Sequence, residues 1–461
     1  MGEYAVIVIG GGITGLCAAS RLAQRIGNEN VLVLEQDMRP GGTAKTDVTD
    51  GLVCEWGPNG FLDREPLMLD WVDELGLTPR LIRAQQSAAR RFIVRNGVLH
   101  EIKPPPAFFF SKILSLRGKL RLLKEPWVPP KQGDDFESIY DFAARRIGQE
   151  AAEYLITPMV SGIFGGDAHR LSLADCFPRM AQMEREYGGL VRALLAMRKK
   201  KSTGGPMGPT GTLTSFPLGV GELVDTAAKR LGASLCGGQS VKSIVREGAA
   251  FTVTTSSGMR FTARVVIIAT PAYAAAELLD GISQHSHALH EIPYAPVAVV
   301  CTAYPKEALR TPLEGFGFLM PRAEGKRVLG CLWTHSIFPD HAPRGMVLLR
   351  TMYGGGTDPE AVALSDSELL NLVKTEVHPL VGLEKEPVFV RIFRHRRGIP
   401  QYTRGHKERV AQVRAIESEN PGLYIAGNAY CGVGMNDCVV SAERAVSQAA
   451  QWLGLADKTP D

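Results

Sequence analysis

The sequence predicts an α/β protein in which the two ends of the chain fold together and α+β segments lie between them. Near the start, a β-branched run at residues 4–9 leads through a glycine-rich turn into an alanine-rich helical pattern at 16–25. A second strand-like run follows at 31–35, as in doubly wound parallel sheets. Near the far end, a strand-like run at 421–427 stops at a glycine and precedes another helical pattern at 439–452. This repeated order of strand, glycine turn and helix predicts the fold class.

Length and composition indicate a folded globular chain with room for two or three domains. It has 461 residues, of which 45% are hydrophobic and 22% are charged. Its cysteines contain no C-x-x-C pair, which argues against a zinc knuckle or a thioredoxin-like site and favours reduced thiols. The uncharged run 4–20 is broken by glycines and lacks a basic leader, and no apolar run is long enough to span a bilayer. We therefore expect a cytoplasmic protein with neither a signal peptide nor a transmembrane helix.

The net charge of +4 conceals a strongly basic block. Residues 80–131 contain 12 Lys and Arg against two acids, which gives +10, so the rest of the chain carries −6. A basic block on an otherwise slightly acidic protein predicts an anionic partner at one surface. No nucleic-acid-binding motif accompanies the block, so we do not expect nucleic acid to be that partner.

A dinucleotide site is predicted where the first strand meets the first helix. The pattern Gly10-x-Gly12-x-x-Gly15 supplies a tight turn, a close backbone approach for a pyrophosphate and a tight contact between helix and strand. The phosphates would lie at the N-terminus of the helix. Glu35 ends the next strand 20 residues beyond Gly15, where it can accept hydrogen bonds from a ribose. The residues expected at this end of the cofactor are Gly10, Gly11, Gly12, Ile13, Thr14, Gly15, Glu35 and Gln36.

The segments that follow indicate FAD as the dinucleotide. Arg39-Pro-Gly-Gly42 resembles the second glycine doublet of FAD-containing amine oxidases and desaturases, in which Gly41 and Gly42 would pass close to the flavin. The glycines before the helical pattern near the C-terminal end suit the flavin end of the same cofactor. The FAD-binding domain is therefore expected to be Rossmann-like and discontinuous, with segments 1–86, 212–283 and 408–461.

Over nearly its whole length the sequence resembles the protoporphyrinogen oxidase family. The particular signals are motifs not shared by amine oxidases and phytoene desaturases, at residues 55–60, 91–94, 315–321, 329–339, 399–406 and 432–438. The resemblance implies FAD-dependent oxidation of protoporphyrinogen IX to protoporphyrin IX in heme biosynthesis, with six electrons leaving as three hydride transfers. Oxygen or a quinone would reoxidise the flavin, and we assign no catalytic general base.

The resemblance also implies roles for individual residues. Arg91 would pair with a substrate propionate, and Leu319 and Trp333 would line the tetrapyrrole pocket. Val241 would contact the adenine through its backbone. From the residues alone, Arg91 fits a solvated basic block equally well, and Leu319 and Trp333 fit a hydrophobic core. The residues implied to lie close to the isoalloxazine are Gly57, Pro58, Asn59, Gly60, Val433, Gly434 and Met435.

Two further domains are expected between the segments of the FAD-binding domain. Residues 87–204 would form a mainly helical, basic domain that is similar to the membrane-associated domain of the family. Residues 284–407 would form a mixed-sheet substrate domain, whose clustered histidines lack partners at ligand spacing, so no metal is expected. A helix at 109–124 would place basic side chains beside an apolar stripe, from which they can reach anionic headgroups. The stripe would consist of Phe109, Ile113, Leu116, Leu120 and Leu123.

Other functions remain open at this point. The nearest is oxidation of coproporphyrinogen III to coproporphyrin III by the same fold, because four carboxylates instead of two would only require a more cationic pocket. An amine oxidase or carotenoid desaturase is disfavoured by the family motifs, and a non-catalytic binder similar to GDP-dissociation inhibitors would not need the flavin glycines. The expected partners are a tetrapyrrole substrate, a membrane surface through residues 87–204 and a second copy of the chain in a homodimer.

Overall fold

The computed structural model of the protein describes residues 2–133, 135–199 and 211–455 and has the mixed α/β architecture that the sequence predicts. Its strands are β1 Gly2–Ile9, β2 Val31–Leu34, β3 Thr46–Thr49, β4 Leu52–Glu55, β5 Phe61–Leu62, β6 Ile82–Arg83, β7 Arg91–Arg95, β8 Val98–Glu101, β9 Leu213–Ser215, β10 Leu235–Cys236, β11 Val241–Glu247, β12 Ala250–Thr255, β13 Arg260–Ile268, β14 Tyr294–Pro305, β15 Gly317–Leu319, β16 Gly330–Trp333, β17 Met346–Gly354, β18 Phe389–Pro400 and β19 Leu423–Ile425.

The helices alternate with these strands and form a separate cluster between β8 and β9. They are α1 Ile13–Ile26, α2 Pro66–Glu74, α3 Leu116–Leu123, α4 Ile139–Ile147, α5 Gln149–Ala151, α6 Thr157–Phe164, α7 Leu173–Cys176, α8 Pro178–Tyr187, α9 Leu190–Lys199, α10 Gly221–Leu231, α11 Ala272–Leu279, α12 His287–His290, α13 Thr334–Ile337, α14 Asp366–Leu372, α15 His378–Val381, α16 His406–Glu419 and α17 Met435–Leu453.

The first large sheet lies between two helical layers. Its strand order is β10-β2-β1-β13-β12-β11, and β19 pairs in parallel with the end of β13. Val6 and Val8 pack in one core with α1 and α17, whereas Ile7 and Ile9 pack in a second core with α11 and α16. Both faces of β1 are therefore buried, which explains why this strand is a continuous hydrophobic run. The predicted segments of the FAD-binding domain each contribute a strand to this sheet, namely β1, β13 and β19.

The second large sheet has the strand order β18-β14-β17-β16-β15-β7-β8. Its last strands, β7 and β8, fall within the segment 87–204 that the sequence assigned to the helical domain. Residues 91–93 pair in parallel with β15, more than 200 residues further along the chain. No local pattern reveals a pairing over such a distance, so the sequence placed this boundary too early. The predicted end of the segment, at residue 204, lies outside the described residues.

The helical cluster corrects the predicted helix at 109–124. A helix forms only over Leu116–Leu123, beginning after Ser115, whose hydroxyl accepts a hydrogen bond from the Gly118 amide at 3.1 Å. Residues 107–110 form a single turn, and Ile113 is buried in the core instead of lying on an exposed stripe. Within the described parts of the chain, no helix is both long and apolar enough to cross a bilayer.

Candidate active site

The glycine-rich turn brings α1 into direct contact with β1. The Gly10 amide donates a hydrogen bond to the Leu34 carbonyl at 2.8 Å, which ties the turn to the end of β2. A Cβ atom at Gly15 would overlap the carbonyl oxygen of Gly10, so only glycine allows this approach of helix and strand. A Cβ atom at Gly12 would instead meet no atom of the described residues within 4 Å. Gly12 therefore borders open space at the N-terminus of α1.

This helix N-terminus has the properties of an anion site. Among the described residues no side chain caps α1, and its first turn contains no acidic residue. The amide groups at the start of the helix are thus available to phosphate oxygens, and the helix dipole favours negative charge there. Gly41 and Gly42 pack against this turn, with the Gly41 amide donating to the Gly11 carbonyl at 2.7 Å. The second glycine doublet therefore lies beside the predicted pyrophosphate position.

The Glu35 carboxylate is fixed beside the same turn. The side chain is buried, and its oxygens accept hydrogen bonds from the amides of Gly11 at 2.6 Å and Asp37 at 2.9 Å. Gln36 follows it and is exposed. The Glu35 carbonyl accepts from the Gln239 amide at 2.7 Å, which brings the start of β11, with Val241, close to the end of β2. This arrangement fits the ribose and adenine of a dinucleotide.

A buried arginine braces the loop 57–60. Arg350 donates hydrogen bonds to the carbonyls of Glu55, at 3.2 Å, and Gly57. The buried Glu55 carboxylate accepts from the Val220 amide at 2.8 Å and the Thr46 hydroxyl at 2.5 Å. Burial raises the pKa of Glu55 to about 7. Arg350 is not among the residues predicted from the sequence, where its signal is a charged residue that directly follows the apolar run 346–349.

A second loop, 428–434, leads into α17. The Asn436 amide nitrogen donates to the Leu62 carbonyl at 2.9 Å, so the start of α17 touches the strand that follows the loop 57–60. The Gly434 amide is held by the Asp437 carboxylate at 2.9 Å. This contact places the start of α17, which follows Val433 and Gly434 and begins at Met435, beside the strand that follows Gly57, Pro58, Asn59 and Gly60.

The side-chain amide of Asn59 supplies a test of the predicted cofactor. Both its oxygen and its nitrogen are buried, and neither has a hydrogen-bond partner among the described residues. Buried polar groups normally have partners, so an orphaned amide in this loop fits a bound group with its own donors and acceptors. The edge of an isoalloxazine ring has both. The residues present thus fit FAD at the adenosine end and at the flavin end.

The predicted substrate residues are separated into two places. Arg91 and Leu319 lie on neighbouring strands, β7 and β15, and strand alternation puts their side chains on the same face of the sheet. Arg91 is exposed, and its guanidinium lies 5.1 Å from the centre of the Phe316 ring. Leu319 packs against Gly162 of α6, where an added Cβ would lie 2.8 Å from the Leu319 side chain. The two residues therefore belong to a wall between the second sheet and the helical cluster.

Trp333 does not join this wall. It is 2% exposed and packs with Phe318 and Phe92 in the core behind the sheet, with 5.0 Å between the ring centres of Trp333 and Phe92. Phe318 and Leu319 are adjacent in β15, so their side chains point to opposite faces. The prediction that Trp333 lines the same pocket as Leu319 is corrected by this geometry, because an aromatic core residue and a pocket wall have the same sequence pattern.

The fold and the two ends of the site define a dinucleotide-binding flavoprotein. Residues 13–450 match the family described as flavin containing amine oxidoreductase. The chain belongs to this family. It is an FAD-dependent oxidoreductase, and FAD is its cofactor.

Relatives of known name cover almost the whole chain. Coproporphyrinogen III oxidase of Bacillus subtilis is 31% identical, with 98% of this chain and 99% of the relative aligned. The chloroplastic protoporphyrinogen oxidase of Oryza sativa subsp. japonica is 32% identical, covering 97% of this chain and 88% of the relative. A crystal structure of a candidate protoporphyrinogen oxidase from Exiguobacterium superposes with a TM-score of 0.84 at 25% identity, over 98% of this chain and 99% of that one. The chain is thus similar to both kinds of porphyrinogen oxidase.

Proposed function

We propose that the protein oxidises protoporphyrinogen IX to protoporphyrin IX with FAD, in three two-electron steps and with oxygen or a quinone as the final acceptor. The names of the relatives support a porphyrinogen substrate. The observation that carries the proposal is the environment of Arg91 on the wall formed with Leu319. A homodimer and peripheral attachment to the cytoplasmic face of a membrane complete the proposal.

Arg91 differs from the other arginines around it. Arg83, Arg90 and Arg95 each have an acidic partner, at 2.9 Å from Asp63, 3.2 Å from Glu101 and 3.2 Å from Glu150 respectively. Among the described residues, the Arg91 side chain has no ion pair, and its guanidinium lies over the Phe316 ring. An arginine with free donors beside an apolar wall is suited to bind a carboxylate on an otherwise apolar macrocycle.

The chain's own residues then bind, orient and shield the reactants. The cofactor supplies a hydride acceptor when it is bound. Arg350 fixes the loop 57–60 through the Gly57 carbonyl, and Leu319 with α6 provides an apolar surface for the macrocycle. Arg91 would fix the macrocycle through a propionate. The residues that we propose to hold FAD are Gly10, Gly11, Gly12, Ile13, Thr14, Gly15, Glu35, Gln36, Gly41, Gly42, Gly57, Pro58, Asn59, Gly60, Val241, Val433, Gly434 and Met435.

Parallel substrate assays test the proposal. Purified protein saturated with FAD is given protoporphyrinogen IX or coproporphyrinogen III, and porphyrin fluorescence and oxygen consumption are followed. We expect much faster formation of protoporphyrin, because the unpaired Arg91 on this wall suits a substrate with two propionates better than one with four carboxylates. A preference for coproporphyrinogen III would establish the alternative, which the Bacillus subtilis relative favours. A lack of activity with both substrates would refute the porphyrinogen assignment.

Replacing Arg91 by alanine should weaken substrate binding. A hydrogen bond to a charged group contributes about 1.5–3 kcal/mol, so kcat/KM should fall roughly 10- to 100-fold, mainly through KM. Arg90→Ala is the matched control, because this neighbouring arginine is already paired with Glu101 and lies 3.7 Å from Glu314. Steady-state kinetics of both variants decide the point. An equal fall in kcat/KM in the two variants would show that Arg91 does not bind the substrate.

The helical cluster carries an exposed apolar patch that supports membrane attachment. Five large side chains around α3 are 52–86% exposed. Lys112, Arg117 and Lys124 are exposed among them. Apolar side chains that enter the interface and cations that meet anionic headgroups are the two components of peripheral binding. The patch consists of Phe110, Leu116, Leu120, Leu123 and Trp127.

The double variant Leu116→Glu, Leu120→Glu should abolish this attachment. Two carboxylates would have to enter the interface of an anionic membrane, so we expect at least a tenfold loss of binding to vesicles of phosphatidylcholine and phosphatidylglycerol in a sedimentation assay. Val388→Glu is the control, since Val388 is 64% exposed on a different part of the protein. Identical binding of both variants and the unmodified protein would show that the patch does not contact the membrane.

A further inference from the structure

The motif at residues 399–406 marks the family but has no role in the site described so far. We propose that Tyr402, within this motif, is a positioning residue that holds the loop 428–434 at the isoalloxazine. The Tyr402 side chain is 1% exposed. Its hydroxyl donates to the Asn428 carbonyl at 2.5 Å and accepts from the Gly432 amide at 2.8 Å. One phenol thus joins the start of the loop, Asn428, to Gly432 within it.

The phenol is itself held from several sides. Its ring stacks on His406 with 4.0 Å between the ring centres and 14° between the planes. Burial lowers the pKa of His406 to about 4 and raises the pKa of Tyr402 far above its ordinary value, so both rings are neutral around pH 7. A neutral phenol keeps the hydroxyl proton that the bond to Asn428 requires. The Tyr402 contacts are therefore the same across the physiological pH range.

The backbone around Tyr402 connects the loop to the wall of the substrate site. The Tyr402 carbonyl accepts from the Ser172 amide at 2.8 Å, and the neighbouring Gln401 side chain donates to the Phe164 carbonyl at 2.8 Å. Phe164 is the last residue of α6, and Gly162 in the same helix contacts Leu319. Tyr402 thus fixes the loop 428–434 relative to the surface against which the substrate is proposed to lie.

This inference rests on the proposed function, because the flavin is placed at Val433, Gly434 and Met435 by that proposal. Without the Tyr402 hydroxyl, the Gly432 amide and the Asn428 carbonyl lose their partner, while the ring can still stack on His406. The loop would then move relative to α6, and the reacting atoms would be misaligned although the substrate still binds. Misalignment lowers kcat and leaves KM nearly unchanged.

The experiment compares Tyr402→Phe with Tyr424→Phe. Tyr424 is a matched control, since it is 8% exposed and donates its hydroxyl to the Gln448 carbonyl at 3.1 Å, in the same domain but outside the loop. Amide hydrogen exchange is measured first, on protein stripped of flavin. We expect exchange in the loop 428–434 to become roughly 5- to 100-fold faster in Tyr402→Phe only, as for loss of a buried hydrogen bond. With FAD restored, we expect shifted flavin absorption bands and a similar fall in kcat, with KM within about twofold.

The outcomes separate this inference from the proposed function. Exchange in Tyr402→Phe that equals exchange in Tyr424→Phe would overturn the restraint on the loop, whatever the substrate is. Faster exchange with unchanged flavin bands and unchanged kcat would overturn the positioning role. If Tyr402→Phe does not fold, the unmodified protein decides: the Gly432 amide should exchange as slowly as the core of the domain, and exchange at the rate of an open loop would refute the proposal.

Discussion

Replacing Gly15 by alanine is expected to abolish FAD binding and to destabilise the protein even without flavin. The new Cβ would overlap the Gly10 carbonyl oxygen, so α1 would have to move away from β1. Overpacking of this kind costs about 1–3 kcal/mol, and here it also displaces the helix N-terminus that would bind the pyrophosphate. The FAD content of the purified variant, from its visible spectrum, and the thermal unfolding of the flavin-free protein provide the two measurements.

Gly12→Ala is the informative control for this prediction. Gly12 has an ordinary backbone conformation, with φ at −78°, and its added Cβ would meet no atom of the described residues within 4 Å. The flavin-free variant should therefore unfold at nearly the same temperature as the unmodified protein. The methyl group would nevertheless enter the space proposed for the pyrophosphate, so FAD should bind much more weakly. Normal FAD affinity in Gly12→Ala would contradict the proposed position of the cofactor.

The adenosine end of the site could be predicted from the sequence because its determinants are local. Gly10, Gly12 and Gly15 lie within six residues, and Glu35 directly follows the very next strand, so turn geometry and helix position follow from neighbouring residues. The braces at the flavin end are different. Arg350 acts on Gly57 across almost 300 residues, and Tyr402 acts on a loop that follows a whole helix and strand. Such contacts arise from tertiary packing, which a single sequence does not display.

The substrate wall and the helical cluster show a second limit. Leu319 and Trp333 both belong to short apolar strands, yet one faces the wall and the other faces the core, because the register of β15 and β16 decides the face. Ile113 was placed on an exposed stripe by its helical spacing, whereas the chain is not helical there and buries it. Hydrophobic spacing predicts that a residue is buried, but only the fold shows whether it packs in a protein core, in a pocket wall or at another surface.

Replacing Arg146 by methionine is expected to destabilise the helical cluster strongly. The guanidinium is fully buried and donates to Glu125 at 2.8 Å, to Glu184 at 3.1 Å and to the Val128 carbonyl at 3.0 Å. Glu125 also accepts from the first amides of α9. Removal of the arginine leaves the buried Glu125 carboxylate without its cation, for which the expected cost is about 3–5 kcal/mol, whereas Glu184 keeps its ion pair with Arg145 at 2.9 Å. Amide hydrogen exchange of α4 and α9 measures the loss of stability within the cluster. Global unfolding would not report it separately, because a multidomain chain does not unfold in a single step.

The control for Arg146 is an arginine in an ion pair at the surface. Arg310 pairs with Glu384, and both side chains are more than 60% exposed, so Arg310→Met should cost at most about 1 kcal/mol. The double variant Arg146→Met, Glu125→Gln removes the unpaired buried charge and should recover part of the loss. Because Glu125 lies two residues before Trp127 of the apolar patch, Arg146→Met should also weaken vesicle binding, whereas the control should not. Equal stability of Arg146→Met and Arg310→Met would show that the network does not hold the cluster together.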